Sequence, residues 1–235
     1  MPVEVLFSII TPSVGTRPLA LAQAVRSVES AAEHAAEAAG LAPGSVEMLV
    51  GFDAVEGRRP DSSLRGLRYF VLPRLAGSTC GFGNHIRNIL LRAATGRRLL
   101  FLDDDNILTP QALALHMRHM EADMAIGRVS TSRAFDVPFL PRPAPEGADP
   151  AADAIRQGNI DPLCLSLSRQ LVVMRCGGWA DEGGYESDFL NIRRYFRRAH
   201  SVVRFDGVVG VYDAGRGLDE GGQNQRQLRL RVQGR

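Results

Sequence analysis

Four short apolar runs alternate with amphipathic stretches over the first 125 residues of the chain. The runs at residues 5–11, 46–52, 67–72 and 99–102 hold mainly aliphatic and aromatic side chains, the pattern of buried strands. Between them, apolar residues recur at helical spacing, and Gly40 marks the end of the first such stretch. Strands that alternate with helices predict an α/β fold with a parallel, doubly wound sheet.

The pattern changes after residue 131. Residues 136–150 contain five prolines, which predicts a long loop or a lid. Beyond it, we expect strands at 163–167 and 171–174, a helix near 188–199 and a pair of strands around 202–212. The polar, basic tail at 221–235 is expected to fray. A chain of 235 residues is long enough to fold all of this around one core, so we expect a single domain.

The composition is that of an ordinary globular protein, with 45% apolar and 23% charged residues. No apolar run approaches the roughly 20 residues of a membrane-spanning helix, and the N-terminus lacks the features of a signal peptide, so we expect a cytoplasmic protein. Cys80, Cys164 and Cys176 lack metal-ligand spacing, so neither a zinc site nor a disulfide framework is expected. The net charge of +2 gives no reason to expect a nucleic-acid partner.

The basic residues exclude mechanisms that need lysine, because all 28 of them are arginine. The absence of lysine excludes Schiff-base catalysis and the P-loop type of phosphate binding. Any side-chain cation that holds a phosphate in this protein is therefore an arginine, which can bind bidentately.

Three consecutive carboxylates follow the fourth predicted strand, in the run Phe101-Leu102-Asp103-Asp104-Asp105-Asn106. In α/β sheets, ligands bind beyond the carboxyl ends of the strands, where this cluster lies. In extended backbone, Asp103 and Asp105 would converge and Asp104 would turn aside. Two convergent carboxylates suit Mg²⁺ or Mn²⁺ shared with phosphate oxygens, whereas a solvated acidic turn is the simpler alternative.

Two other strand ends should open toward the same crevice. Asp53 ends the second strand, and Thr11, Pro12 and Ser13 end the first. A lone aspartate after a strand is often only a turn former. These residues indicate a binding site only in combination with the acidic run.

Taken together, these residues resemble the family 2 glycosyltransferases of the GT-A fold. FSIITPSVGTRP is similar to that family's first strand, and FLDDDN to its Asp-x-Asp metal motif. The glycine-rich turn at 77–83 and the helix with Asn84 and Arg87, followed by AATG at 93–96, resemble its helix ending in Arg-Asn and Ala-x-Gly. Gly177-Gly178-Trp179 and the helix after Ser187 resemble its acceptor-side segment. The likeness covers residues 5–125 well and 160–200 loosely.

The resemblance implies an inverting hexosyltransferase that moves a sugar from a nucleoside-diphosphate sugar, by default a UDP-sugar, to a hydroxyl of a saccharide, lipid-linked or other acceptor. It implies Mn²⁺ or Mg²⁺ held by Asp105 with help from Asp103, and a base at Asp188 or, as second candidate, Glu186. It divides the domain into a donor half (1–130), a Pro-rich loop (131–160), an acceptor half (161–220) and a tail (221–235) open to peripheral membrane contact. The residues it implies for the donor are Thr11, Pro12, Ser13, Asp53, Asn84, Arg87, Asp103 and Asp104.

The chain also departs from the family pattern. The usual Glu-Asp pair is here Ser187-Asp188, the helix glycine is shifted to Gly81 or Gly83, and no histidine follows His200, so that Asp213 is the available substitute for a late metal ligand. His116 and His119 suit either a metal pair or, more simply, a solvated helix face, and Trp179 suits either sugar stacking or core packing.

Three other functions are considered on the sequence alone. Gly15-Thr16-Arg17 resembles the glycine-rich loop of sugar nucleotidyltransferases, although the usual glycine pair and the lysines are absent. A phosphatase with paired aspartates would place that strand first in the chain and supply a lysine, and neither holds. A nucleotide-sugar-binding module without a catalytic base is the non-enzymatic alternative.

Overall fold

The structure is a computed structural model that describes residues 3–73, 83–180, 184 and 186–219. Of the expected glycine-rich turn at 77–83, only Gly83 is among them. Cys80, Gly81 and the tail at 221–235 lie outside the described residues. In the described part, none of the helices combines the length and hydropathy needed to cross a bilayer.

Strands and helices alternate through the first half, as the sequence predicts. The strands are β1 (Phe7–Ser13), β2 (Val46–Asp53), β3 (Gly66–Leu72), β4 (Arg98–Phe101), β5 (Ile107–Leu108), β6 (Met124–Ser130), β7 (Phe139–Leu140), β8 (Leu165–Ser168) and β9 (Val202–Val211). The helices are α1 (Pro18–Ala39), α2 (Asn84–Ala93), α3 (Ala112–Met117), α4 (Pro150–Ala154) and α5 (Ser187–Arg198).

The described strands form one mixed sheet in the order β3-β2-β1-β4-β8-β6-β9-β5, with β7 paired to β6. The first four strands of this order are parallel, and β9 is parallel to β6. Only β5, β7 and β8 add antiparallel pairs, so most paired residues belong to parallel ladders. The α/β class and the mostly parallel sheet predicted from the sequence are confirmed.

Helices α1 and α2 belong to the donor half of the fold and pack on the sheet. In α1, Leu21, Val25 and Val28 are buried on the predicted stripe, and Gly40 ends the helix with a left-handed φ of 69°. Helix α2 lies very close to the sheet, because a Cβ at Gly51 of β2 would stand 2.5 Å from Ile86. This close approach fixes the side chains of α2 at the carboxyl ends of β1 and β2.

Three expectations for the second half need correction. Residues 170–175 form a π-helix rather than a strand, because the Ser168 hydroxyl accepts the Leu171 N–H and starts a helical turn. Residues 162–164 are a 3₁₀ helix that leads into β8. The expected pair of strands at 202–212 is one long strand, β9, which pairs with β6 and β5.

The Pro-rich stretch contains β7 and α4, and other parts of the chain hold it in place. Arg204 of β9 donates to the carbonyl oxygens of Pro150 at 2.9 Å and Arg142 at 2.7 Å. The amide oxygen of Asn159 accepts the Arg142 N–H at 3.0 Å. Arg204 thus ties the stretch to the acceptor half, and Asn159 adds a hydrogen bond within the stretch itself.

His116 lies in α3, and His119 lies two residues beyond the end of this helix. His116 is buried, with its ring edge-on to Phe205 at a centroid distance of 5.6 Å. His119 stacks on the same ring at 4.7 Å. Burial of the His116 ring lowers its pKa to about 3, so the imidazole stays neutral. Both histidines therefore pack around Phe205, and the solvated-face interpretation is wrong for His116.

Candidate active site

The carboxyl ends of β1, β2 and β4 lie side by side, as the parallel order requires. Ser13 at the end of β1 pairs with Phe52, one residue before Asp53, and Ile10 pairs with Phe101, two residues before Asp103. The Ser13 hydroxyl donates to Asp104 Oδ2 at 2.6 Å. The predicted strand-end residues of β1 and β4 thus meet in one crevice.

The acidic run is a turn rather than extended backbone. The N–H of Asn106 bonds the carbonyl of Asp103 at 3.0 Å, which closes the turn. The Asp104 side chain is fully buried, whereas 38% of the Asp103 side chain is exposed. The expected geometry was wrong on this point: Asp104 does not turn aside, and Asp103 and Asp105 bind different partners.

Arg17, just before α1, binds two of the three carboxylates. Its Nη2 lies 2.5 Å from Asp104 Oδ1, and its Nη1 lies 2.5 Å from Asp105 Oδ2. Burial raises the pKa of Asp104 to about 7, although Arg17 and the Ser13 hydrogen bond oppose the shift. From the sequence, Arg17 was considered only within the run Gly15-Thr16-Arg17, and its contact with the acidic turn was not predicted.

Arg87 of α2 binds the third carboxylate. Its Nη2 lies 2.5 Å from Asp103 Oδ1, and its Nη1 lies 3.4 Å from Asp188 Oδ1. The guanidinium is buried and stands 4.9 Å from the Trp179 ring centroid, which supports it by a cation–π contact. Arg87 therefore connects the acidic turn to α5.

Trp179 and Asn84 form the floor beneath Arg87. Trp179 is buried against Phe101 and Tyr195, and its Nε1–H donates to Asn84 Oδ1 at 2.8 Å. Core packing is thus the role of Trp179 in this structure, and no face of it is open for a sugar. Asn84 is also buried, and it positions Trp179.

The two candidate bases have different surroundings. Helix α5 begins at Ser187, between them, as expected. Asp188 lies in the first turn beside Arg87, with 37% of its side chain exposed. Burial raises the pKa of its carboxyl, Arg87 opposes the shift, and Asp103 adds to it. Glu186 is exposed, and its carboxylate accepts from Gln157 Nε2 at 2.8 Å.

Asp161 is a further acidic residue near the site that the sequence analysis missed. It caps the 3₁₀ helix by accepting the Leu163 N–H at 2.9 Å. Burial raises its pKa to about 8, and the neighbouring Asp103 and Asp188 contribute, against Arg87. The sequence does contain a signal for this cap, because an Asp followed by a Pro is a typical start of a short helix.

The remaining residues of the predicted nucleotide wall lie close to the crevice. Thr11 is buried inside β1, and Asp53 is half-buried at the end of β2. Pro12 packs on the start of α2, since a Cβ at Gly83 would stand 3.0 Å from its Cβ. Gly15 is packed against the loop after β2, where a Cβ would stand 2.8 Å from the Val55 carbonyl oxygen.

The segment Tyr212 to Asp219 crosses the acidic turn and the start of α1. The Asp213 N–H donates to Asn106 Oδ1 at 2.7 Å, and the Gly215 N–H donates to the Asp105 carbonyl at 2.8 Å. The Asp219 carboxylate accepts the N–H groups of Leu19 and Ala20 at 3.0 and 2.9 Å. Sequence reasoning singled out Asp213 alone from this segment.

The site has the charge and the ligand type that a divalent cation requires. Four carboxylates, those of Asp103, Asp104, Asp105 and Asp188, face two guanidinium groups, and carboxylate oxygens are the ligands that Mg²⁺ and Mn²⁺ prefer. Within the described ranges, no three metal-ligating side chains converge on one point. The carboxylates can thus supply part of a coordination shell, which phosphate oxygens and water usually complete for such ions.

Comparison with known proteins shows the fold. No protein-family model and no curated protein matches the sequence. The structure of S. aureus TarS 1–349 matches with a TM-score of 0.66 and 16% identity, over 88% of this chain and 60% of that one. The same TarS fragment in complex with UDP-GlcNAc gives 0.64 and 14%, over 88% and 58%.

A third solved structure is an enzyme from another organism. The mannosyltransferase PcManGT from Pyrobaculum calidifontis, in complex with GDP-Man and Mn²⁺, matches with a TM-score of 0.59 and 16% identity, over 98% of this chain and 61% of that one. This chain spans about three fifths of the length of these structures. At such low identity the likeness establishes architecture, and the chain has the GT-A-like α/β fold of these proteins.

Proposed function

We propose that this protein is an inverting glycosyltransferase that moves a sugar from a nucleoside-diphosphate sugar to an acceptor hydroxyl. The observation that carries the proposal is the Arg87 bridge, which joins Asp103 at a strand end to Asp188 on α5. Inverting transfer needs a base on one side of the sugar and charge stabilisation for the leaving diphosphate on the other. Through this bridge, a candidate base and a candidate group for charge stabilisation lie close to each other.

On the donor side, we assign nucleotide binding to Ser13, Asp53 and Arg87. Asp53 would accept from the base, as the family resemblance implies, and a UDP-sugar is the default donor. Arg87 is a buried cation, and a guanidinium in such a place binds phosphate oxygens strongly. TarS was solved with UDP and UDP-GlcNAc and PcManGT with GDP-Man, which supports a nucleotide-sugar donor for this fold.

Asp105 and Asp103 are the residues that would hold a divalent cation. When bound, Mn²⁺ or Mg²⁺ would neutralise the negative charge that develops on the departing diphosphate. The excess of carboxylates over guanidinium groups supports this assignment, because a diphosphate brought to an already acidic crevice needs additional positive charge.

On the acceptor side, Asp188 would take the proton from the attacking hydroxyl. Its partly exposed carboxylate is open to an acceptor, and its raised pKa strengthens it as a base. Glu186 is bonded to Gln157 at the mouth of the site and is the weaker candidate.

The test is incubation of the protein with UDP-GlcNAc or GDP-Man, Mn²⁺ and a panel of saccharide and lipid-linked acceptors. Release of nucleoside diphosphate that depends on the acceptor is the expected result. Exchange of pyrophosphate would instead indicate a sugar nucleotidyltransferase. Donor binding without turnover, with every acceptor, would indicate a binding module.

A further inference from the structure

The Arg17 guanidinium neutralises part of the negative charge of the acidic turn. One guanidinium bridges Asp104 and Asp105, with both nitrogen–oxygen distances at 2.5 Å, and only 12% of its side chain is exposed. Each contact is a charge-assisted hydrogen bond, which is shorter and roughly twice as strong as a bond between neutral groups. In the family resemblance, Asp105 is the principal metal ligand, yet here its Oδ2 binds an arginine.

Guanidinium and a divalent cation would compete for Asp105. A cation that coordinates this carboxylate would come within a few ångströms of the guanidinium, and two positive charges repel strongly at such a distance in a partly buried site. Arg17 must therefore leave Asp105 before the cation can coordinate it fully.

Hydrogen bonds hold the backbone on both sides of this pair, so the side chains are the parts that can move most easily. Asp219 holds the start of α1 through Leu19 and Ala20, and the Gly215 N–H holds the Asp105 carbonyl. A Cβ at Gly215 would stand 2.6 Å from Ala20 and 3.3 Å from the Asp105 Cα, so the three segments are packed tightly. Rotation of the long arginine side chain is the available way to free the carboxylate.

We propose that Arg17 couples metal binding to nucleotide binding. Without nucleotide, Arg17 stays on Asp104 and Asp105 and keeps the cation weakly bound. The diphosphate draws the guanidinium away from Asp105, which then accepts the cation, so nucleotide and metal bind cooperatively. This inference rests on the proposed function, because it needs a diphosphate ligand and a metal at Asp105.

The experiment measures binding of Mn²⁺ alone, from the electron paramagnetic resonance signal of free Mn²⁺, with and without UDP. It compares the wild type with Arg17→Gln and with Arg26→Gln, a matched control on the exposed face of the same helix. We expect UDP to tighten Mn²⁺ binding to the wild type by a factor within the range of about 5- to 150-fold that is common for coupled ligands. Arg17→Gln should bind Mn²⁺ alone more tightly by a similar factor, and Arg26→Gln should behave as the wild type.

A second variant keeps the test possible if Arg17→Gln does not fold. Arg17→Lys keeps the positive charge but lacks the rigid planar fork of the guanidinium, so it should hold the two carboxylates less well and give an intermediate Mn²⁺ affinity without UDP. Equal Mn²⁺ affinity of the wild type, Arg17→Lys and Arg17→Gln without UDP would overturn the inference and leave the proposed function standing. Failure of every variant to bind Mn²⁺ with or without UDP would overturn the inference together with the metal part of the proposed function.

Discussion

Arg87 Nη1 lies 3.4 Å from Asp188 Oδ1, while Nη2 of the same guanidinium lies 2.5 Å from Asp103 Oδ1. The fold thus brings Asp188 to a buried cation that lies 101 positions earlier in the sequence. A donor bound at Asp103 and an acceptor bound at Asp188 would both contact this cation. The predictions below follow from this arrangement and from the network around Arg17.

Asp188→Asn should lower kcat by about 10²- to 10⁴-fold, the usual contribution of a general base, while donor affinity changes little. The reason is that Asp188 is expected to contact the acceptor rather than the nucleotide. Glu186→Gln is the matched control and should retain most activity, because Glu186 lies at the surface with Gln157. Single-turnover transfer gives the rate, and calorimetry gives donor binding. An inactive Glu186→Gln beside an active Asp188→Asn would reverse the assignment.

Asp161 should make the folded state less stable as the pH rises. Its pKa of about 8 in the fold lies above the ordinary value of 3.8, so the folded state binds a proton that the unfolded state gives up. This stabilisation is complete below pH 3.8 and is lost as the pH rises through about 8. Asp161→Asn keeps an oxygen for the Leu163 N–H but does not ionise.

The measurement is thermal unfolding of the wild type and Asp161→Asn between pH 5 and pH 9. The midpoint of Asp161→Asn relative to the wild type should increase from pH 5 to about pH 8 and then level off. A constant difference would show that Asp161 titrates normally in the folded protein.

Asp219→Ala should destabilise the fold by about 0.5–2 kcal/mol, the usual cost of losing a helix cap. Asp219 satisfies two N–H groups in the first turn of α1, although 200 residues separate it from Leu19. Denaturant unfolding measures the change, and Asp206→Ala, at an exposed position of β9, is the control. Equal stability of the two variants would mean that the segment after β9 does not hold α1 in solution.

The sequence predicted the features that depend on local pattern. Helix α1 and its end at Gly40 follow from helical spacing and one glycine, and the crevice at Ser13, Asp53 and Asp103 follows from the parallel order of the strands. The strand predicted at 171–174 is wrong, because buried residues such as Leu171 and Val172 fit a strand and a helix equally well.

What the sequence could not give depends on contacts across the fold. Arg17 binds Asp105 from 88 positions away, and the same guanidinium binds the buried Asp104. The cap that Asp219 provides is also long-range. No local pattern encodes either contact, because each requires the finished sheet to bring α1, the acidic turn and the last segment together.

Thermal unfolding with UDP or GDP, in Mn²⁺ and in EDTA, tests the central claim most directly. A nucleotide at 100 times its dissociation constant adds about 2.7 kcal/mol of stability. We predict a clear rise in the unfolding midpoint with Mn²⁺ and a much smaller one in EDTA, and we predict that Asp105→Ala loses the Mn²⁺-dependent part. No rise with either nucleotide, or a full Mn²⁺-dependent rise in Asp105→Ala, would contradict the account of this site as a metal-assisted nucleotide-sugar site.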